Sequence, residues 1–416
     1  MAVVITAQSG NDNIPQLIPD NKIGKATFLC YWSAIVIGIA TPIAGIVSPQ
    51  IAQHFHVLTA YIVFIDALTL VGIFIGNSIS GVILEKLGGR KTLIFASFCM
   101  MLIQVGIGTQ NSLLFYSILV FFSGFFMGLI VPTVSFLILA AYATKGKTAE
   151  KLNMKYFFVG LGSFIGPAFG GMLVLMYSWS TIFLMTAIGF MIVFITTIII
   201  NISEIQIKKE KKTKEKNKSE RVIGLSVILV GIAMIGIVYA EYIISYWFSP
   251  YLQESLGISV KTVGMMIGAF WLTVTFGRLF FGKLIIPRMK EYKFIICSEI
   301  LLIIGLILFV LTKNTYLIFA IIILLGIGDS AIFPTLLDFG VKQAKFSPKA
   351  LAFITCCCSF GGALSLTTSA IIGAAFPKVY AIYMAPICCV FVIIFVLLAK
   401  YVSVKNQRVV NINQAS

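Results

Sequence analysis

From residue 26 to residue 50 the chain runs without a charged side chain, and eleven further stretches of similar length and apolar character follow it. About 20 predominantly apolar residues are needed to cross the hydrocarbon of a bilayer. In lipid the backbone must satisfy its own hydrogen bonds, so each run is expected to be a helix; strands of a barrel would alternate over about ten residues instead. Cut at charged or Gly/Pro-rich breaks, the expected spans lie near 26–50, 60–84, 92–110, 113–140, 154–176, 180–203, 223–249, 261–286, 293–312, 315–341, 350–376 and 379–402. Composition agrees, with 59% hydrophobic and 11% charged residues against about 25% charged in a soluble domain. The fold class expected is an all-α integral membrane protein with twelve transmembrane helices.

A net charge of +16 raises the question of a nucleic-acid partner, but the placement of the charge answers it. All but four of the 31 lysines and arginines fall in the N-terminus, the even-numbered loops or the C-terminus. Lys261, Lys313 and Lys378 fall in odd-numbered loops and Arg278 falls within a span. The positive-inside rule then puts both termini in the cytoplasm, and no nucleic-acid partner is needed to explain the charge. The first apolar run exceeds the core of a signal peptide, about 7 to 15 residues, so residues 1–25 are expected to be a cytoplasmic N-terminus and not a cleaved leader. Residues 403–416 form the matching cytoplasmic tail. The densest charge, "EIQIKKEKKTKEKNKSER" at 204–221, carries eight basic and four acidic residues. It reads as a basic cytoplasmic linker, 204–222, solvated or drawn to anionic lipid, between six-helix bundles at 26–203 and 223–402.

A midpoint linker prompts a search for internal duplication. "IGNSISGVILEKLGG" from 75 aligns with "FGRLFFGKLIIPRMK" from 276, pairing Gly76 and Gly81 with Gly277 and Gly282. "VPT" at 131–133 aligns with "FPT" at 333–335 at nearly the same offset. The two halves are therefore expected to be pseudo-symmetric. The segment "GVILEKLGGRK", 81–91, ends the second span. Gly81 is expected to let a neighbouring helix approach closely, Gly88 and Gly89 to permit a tight turn, and Glu85 to face Lys86, Arg90 or Lys91, forming a charged latch at the membrane surface.

With that loop in that place, the sequence resembles the major facilitator superfamily, whose second-to-third loop reads Gly-x-x-x-Asp-x-x-Gly-x-Arg-Lys. Gly81, Glu85, Gly88, Arg90 and Lys91 match, with Glu for the usual Asp. The resemblance implies two six-helix bundles around a central cavity lined by the first, fourth, seventh and tenth helices, alternately open to either side. "FPTLLDFGVKQ" at 333–343, after "GIGDSAI", resembles the fucose/proton symporter branch and its TsgA-type relatives. A different segment, "GSFIGPAFGG" in the fifth span, resembles the motif of drug/proton antiporters in the same superfamily. Read from the residues alone, Gly162, Gly166, Gly170 and Gly171 with Pro167 describe a kinked helix packed closely against neighbours. The fourth span lacks the arginine those antiporters carry, and neither the first nor the fourth span holds the acid usual in the fucose branch.

Ionisable groups at membrane depth are costly and therefore mark function. They are Asp66, Glu241, Arg278, Asp329 and Asp338, with Glu299 nearer a cytoplasmic end. Glu241 stands among Tyr239, Tyr242, Tyr246 and Trp247 and is the proton-coupling candidate, because an apolar setting disfavours a carboxylate's charge. Asp329 follows Gly326 and Gly328 and precedes Ser330, small neighbours that leave room for a solute. Asp329, Tyr239 and Trp271 are the substrate-binding candidates, aromatic walls with polar anchors being the usual make-up of a solute pocket. Arg278 is the charge partner within the membrane; a carboxyl permanently paired with it, and aromatic residues that only pack, are the structural alternatives. Asp66 and Asp338 are expected to be paired near the surfaces.

Cys356, Cys357 and Cys358 are consecutive on a helix and point about 100° apart, so they do not converge on a metal. The same holds for Cys388 and Cys389, and the only histidines, His54 and His56, lie in an external loop. No metal and no cofactor are expected. Nor does the sequence show a nucleophile with a histidine base, a phosphate loop or a zinc spacing, so an enzyme is not expected. The reading is a secondary transporter of a small, sugar-like solute with proton symport. It works as a monomer among membrane lipids, in a bacterial inner membrane. The alternatives are a drug/proton efflux antiporter and a solute sensor that binds without moving its ligand. Cysteine-accessibility labelling of intact cells is expected to place 204–221 inside and His54 to His56 outside; the reverse pattern overturns the orientation.

Overall fold

The computed structural model describes residues 18, 20–142, 147–200, 224–344 and 348–415. The expected linker at 204–222 lies outside the described residues, as does most of the N-terminal segment. Among the described residues the regular structure is helical, and eleven helices are long and apolar enough to cross a membrane. The first span is α1 (Asp20–Ala40) and α2 (Ile43–His54), followed by α3 (Thr59–Thr109), α4 (Leu113–Tyr142), α5 (Thr148–Met176) and α6 (Trp179–Ile199). In the second half, α7 (Leu225–Pro250) runs on through a π-helical turn, Tyr251–Ser255, and is followed by α8 (Val260–Leu284) and α9 (Glu291–Leu311). The tenth span is divided into α10 (Thr315–Asp329) and α11 (Ile332–Gln343), and α12 (Pro348–Ala375) and α13 (Val379–Ala415) complete the chain.

Eleven helices become twelve spans because α3 is two. Its 51 residues would measure about 77 Å, more than twice a hydrocarbon core. Gly88 breaks it, at φ 80° and ψ 163°, a conformation that only glycine adopts without strain. The expected loop at 85–91 is thus a turn about a single residue, with helix on both sides. Gly89 beside it abuts α4, where a Cβ would lie 2.9 Å from Leu137 Cδ2. Gly81 differs from expectation: a Cβ there meets nothing within 4 Å, so no helix closes on it.

The chain divides into two compact units, α1 to α6 with residues 252–272, and residues 224–251 with 273–415. In the first, α3 and α4 touch backbone to backbone. A Cβ on Gly76 would sit 2.2 Å from the Phe125 carbonyl oxygen, and one on Gly124 would sit 2.0 Å from that of Thr69. The fifth-span glycines do the same work toward three neighbours. Gly162 lies against Ile35 and Gly166 against Ile39 of α1, Gly170 against Ile182 of α6, and Gly171 against Val260 of α8. Gln50 donates to Gln253, which donates to the Ile46 carbonyl at 3.0 Å, and Thr59 donates to Glu254. In the second unit α7 packs against α11, α12 and α13, while α9 packs against α10 and α13. Trp247 fills its centre and donates through Nε1 to Ser369 Oγ at 2.7 Å. Gly277 faces Ser330 of the tenth span just as its counterpart Gly76 faces the fourth.

Proline divides the first and tenth spans, and in each the freed carbonyl has a donor. A proline lacks the N–H that would bond the carbonyl four residues earlier. Pro42 therefore releases the Gly38 oxygen, and Ser163 Oγ reaches it at 3.3 Å, sharing its proton with the Val159 carbonyl at 3.1 Å. Pro334 releases the Ser330 oxygen, and Arg278 Nε donates to it at 2.9 Å. Beyond each break the helical pattern resumes, as with Thr335 N to the Ala331 carbonyl at 3.2 Å.

Two stability experiments follow, both read by unfolding in detergent. Gly162→Val forces a side chain into the Ile35 carbonyl and is expected to cost about 3 kcal/mol or more, whereas Gly81→Ala, facing open space, changes little. Equal losses at the two sites would contradict the packing described. Pro334→Ala gives the Ser330 carbonyl a donor of its own. Arg278→Ala should then cost less in the Pro334→Ala background than alone, by about 1 kcal/mol, and strict additivity would mean that Arg278 does not serve that carbonyl.

Candidate functional site

The second unit gathers the ionisable residues of four helices around the break in the tenth span. Asp329 is the last residue of α10, 5% exposed, held where the helix stops. Arg278 comes from α8, partly exposed, with its Nε committed to the next residue's carbonyl. That bond fixes the guanidinium beside Asp329, and its charge also acts on Glu241 of α7. Glu241 and Asp329 act on one another as well. The three candidate charges therefore form one electrostatic unit, which no short sequence motif links.

Glu299 of α9 joins this unit. Expected near a cytoplasmic end, it is 1% exposed and acts on Asp329. Among the described residues its carboxyl oxygens have no strong hydrogen-bond partner, and the neighbour beside them is the Cys389 thiol of α13. The site thus contains three carboxyls and one guanidinium. One cation offsets one carboxylate, and each further unpaired charge in so dry a setting costs several kcal/mol.

Of the aromatic candidates, Tyr239 is buried. Its hydroxyl shares a hydrogen bond with Thr368 of α12, and its carbonyl accepts from Ser365 Oγ at 2.8 Å. Tyr239 therefore anchors α7 to α12. Tyr242 and Tyr246 stack nearly parallel, 8° between planes at 5.8 Å, one turn apart on α7 beside Glu241. Trp271 lies in the part of α8 that belongs to the first unit, edge-on to Phe270.

The other expected residues are placed as follows. Arg90 does not turn to Glu85: Nη2 donates to the Ile198 carbonyl at 3.0 Å and Nε to that of Thr197 at 3.4 Å. It occupies the C-terminal end of α6, where unsatisfied carbonyls and the helix dipole favour a cation. Glu85 is partly exposed and Lys91 exposed. Asp338 pairs with Lys342 at 2.6 Å, and Lys342 also bridges to Glu291, the structural pairing expected of it. Asp66 is not paired in that way; it is 1% exposed and its Oδ2 has no hydrogen-bond partner among the described residues.

Two participants were not evident in the sequence reading. Ser330 was noted only as small, yet the proline four residues on marks its carbonyl as available. Lys155, expected at the cytoplasmic edge of the fifth span, lies a further two turns inside α5, completely buried, and donates to Ser135 Oγ of α4 at 2.7 Å. Its place in register with Val159, Gly162 and Gly166, at helical spacing, is the signal that would have found it.

Comparison with known proteins agrees with this architecture. The chain is 23% identical over 351 residues to the proteins named "Protein TsgA homolog" of Yersinia pestis and Yersinia pseudotuberculosis, covering 84% of this chain and 88% of theirs. Among solved structures it is similar to the POT family transporter PepTSo, with TM-score 0.72 at 11% identity over 92% of this chain and 98% of that one. It is also similar to a bacterial homolog of the human lysosomal transporter Spinster, inward-facing and unoccupied, with TM-score 0.68 at 13% identity over 93% and 96%. The family model described as Major Facilitator Superfamily matches residues 26–366. With its helices, its broken tenth span and its site in place, the chain belongs to the major facilitator superfamily.

Proposed function

We propose that this membrane transporter couples the movement of a small, sugar-like solute to protons by alternating access, as a symporter of the bacterial inner membrane with both termini in the cytoplasm. The observation that carries the proposal is the group of Glu241, Asp329 and Glu299, the first two acted on by the guanidinium of Arg278 and the third by Asp329. Three carboxylates with one arginine leave an excess of negative charge in a low-dielectric interior, and a proton is the smallest species that removes it. A proton bound there changes the charge of the very helix break that holds Arg278, which gives binding a route to helix position. In this reading the solute site opens alternately to either side of the membrane. Arg90, holding the second unbroken arm of α3 to α6, keeps the first unit rigid as it moves.

The roles divide by surroundings. Glu241, partly exposed beside two stacked tyrosines, is the proton-coupling residue; Asp329, among Gly326, Gly328 and Ser330, is the solute anchor, with the aromatic faces of α7 alongside. The close packing at Gly162, Gly166, Gly170 and Gly171 accounts for those residues without an efflux role, which favours uptake over the antiporter alternative. Counterflow in proteoliposomes separates a transporter from a sensor, which gives none.

Glu241→Gln is expected to abolish gradient-driven accumulation while retaining solute exchange, and Asp329→Asn to weaken binding about tenfold or more. Full accumulation by Glu241→Gln rules out its coupling role. Unchanged binding by Asp329→Asn rules out the anchor.

A further inference from the structure

Lys155 is the one buried cation of the first unit among the described residues, and nothing said so far gives it a task. Its side chain is 0% exposed. The glycine face it extends explains the burial: Gly162 and Gly38 bring α5 and α1 into backbone contact, and α4 closes the third side. Of the ammonium's three donors, one goes to Ser135 Oγ, whose own proton goes to the Val131 carbonyl at 3.0 Å. The Tyr156 ring lies 4.3 Å away.

Among the described residues no carboxylate balances this charge. The ionisable side chain acting on Lys155 is the buried thiol of Cys30. Glu150 is exposed and pairs with Lys151 at 3.0 Å. Asp66, the buried acid of this unit, lies seven residues into the first arm of α3, which runs to Gly88. Lys155 lies seven residues into α5, which starts from the opposite end of the bundle. At 1.5 Å per residue the two are separated by about 20 Å along the membrane normal.

Among the described residues the buried ammonium has one hydroxyl acceptor and no acid beside it. Buried charges are ordinarily paired, and here the missing member is an anion. We propose that Lys155 forms a binding site for a negatively charged group, a carboxylate or phosphate, of the solute this protein carries. The inference rests on the transporter reading and narrows it, from a small sugar-like solute to an acidic one such as a sugar acid or sugar phosphate. The lysine suits the task because its charge is compact and its four-carbon stem lets the ammonium turn toward the anion.

The full-length protein, purified in detergent, is titrated with gluconate, glucose 6-phosphate and glucose while thermal unfolding is followed, with phosphatidylglycerol in a separate arm. Gluconate or glucose 6-phosphate is expected to raise the melting temperature and glucose to leave it unchanged. Lys155→Met should weaken the anion's effect about thirtyfold or more, and Lys155→Arg should retain most of it. Without ligand, Lys155→Met should melt at or above the unsubstituted protein, since removing an uncompensated buried charge relieves a cost. That control separates lost binding from lost folding; Lys155→Arg serves the same purpose if the methionine variant does not fold.

Three results overturn the proposal: no stabilisation by either anion, a full anion effect in Lys155→Met, or a Lys155-dependent effect of phosphatidylglycerol alone. Uptake of the stabilising anion into proteoliposomes tests transport separately. Lys155-dependent binding without uptake leaves this site standing and removes the coupled-transport reading. Proton-driven uptake of glucose that is undiminished in Lys155→Met does the reverse.

Discussion

A carbonyl freed inside a membrane has no water to turn to, and this constraint organises the molecule. Each proline within a span creates such a carbonyl, and an unsatisfied one costs several kcal/mol in hydrocarbon. At Ser330 the donor supplied is a guanidinium, which brings a charge with it. The backbone defect and the candidate site therefore coincide: the break in the tenth span holds Arg278, and the charge of Arg278 acts on the carboxyls of α7 and α10. At Gly38 the donor is the neutral Ser163, and no carboxyl assembles there. Similar devices in the two halves thus lead to different chemistry.

Glycine supplies the complementary constraint, because the donors reach their targets only if helices nearly touch. Ser163 can serve α1 only because Gly38 and Gly162 remove the side chains that would hold α1 and α5 apart. Without lipid-exposed apolar gain to drive helices together, contact of this closeness is the main source of association in a bilayer. The same contact seals Lys155 from solvent. Packing and polarity are thus not separate layers of design in this fold; the tightest seams lie beside the buried polar groups.

The spans, their number and the asymmetry of charge were legible in the sequence because each is a property of local composition, and the bilayer leaves helix as the answer. Asp329, Glu241 and Arg278 stood out for the same reason, being charges where charge is rare. What was not legible depends on which residues meet. Gly88 was expected within a loop, but residues 85–91 contain enough helix-forming side chains to continue the helix to either side of one glycine. Gly81 belongs to a recognisable pattern yet touches nothing, since a pattern records a residue and not its neighbour. Glu299 and Lys155 were drawn toward the surfaces because the ends of an apolar run are uncertain by several residues; one or two helical turns separate a solvated charge from a buried one.

The tie between Arg90 and α6 also sets an order in time. Its acceptors, Thr197 and Ile198, are made 107 and 108 residues later, a delay of about 5 to 20 s at a ribosome's pace of about 5 to 20 residues per second. Through that interval the two arms of α3 can pair as a hairpin about Gly88, but the guanidinium has no carbonyls to bind and must stay in water or among lipid headgroups. The first half of the protein can lock only when its last helix arrives. Until then, the positive charge that will clasp the finished unit holds the turn of the hairpin at the membrane surface, so a single side chain acts first as an anchor for a growing chain and afterwards as the clasp of a completed one.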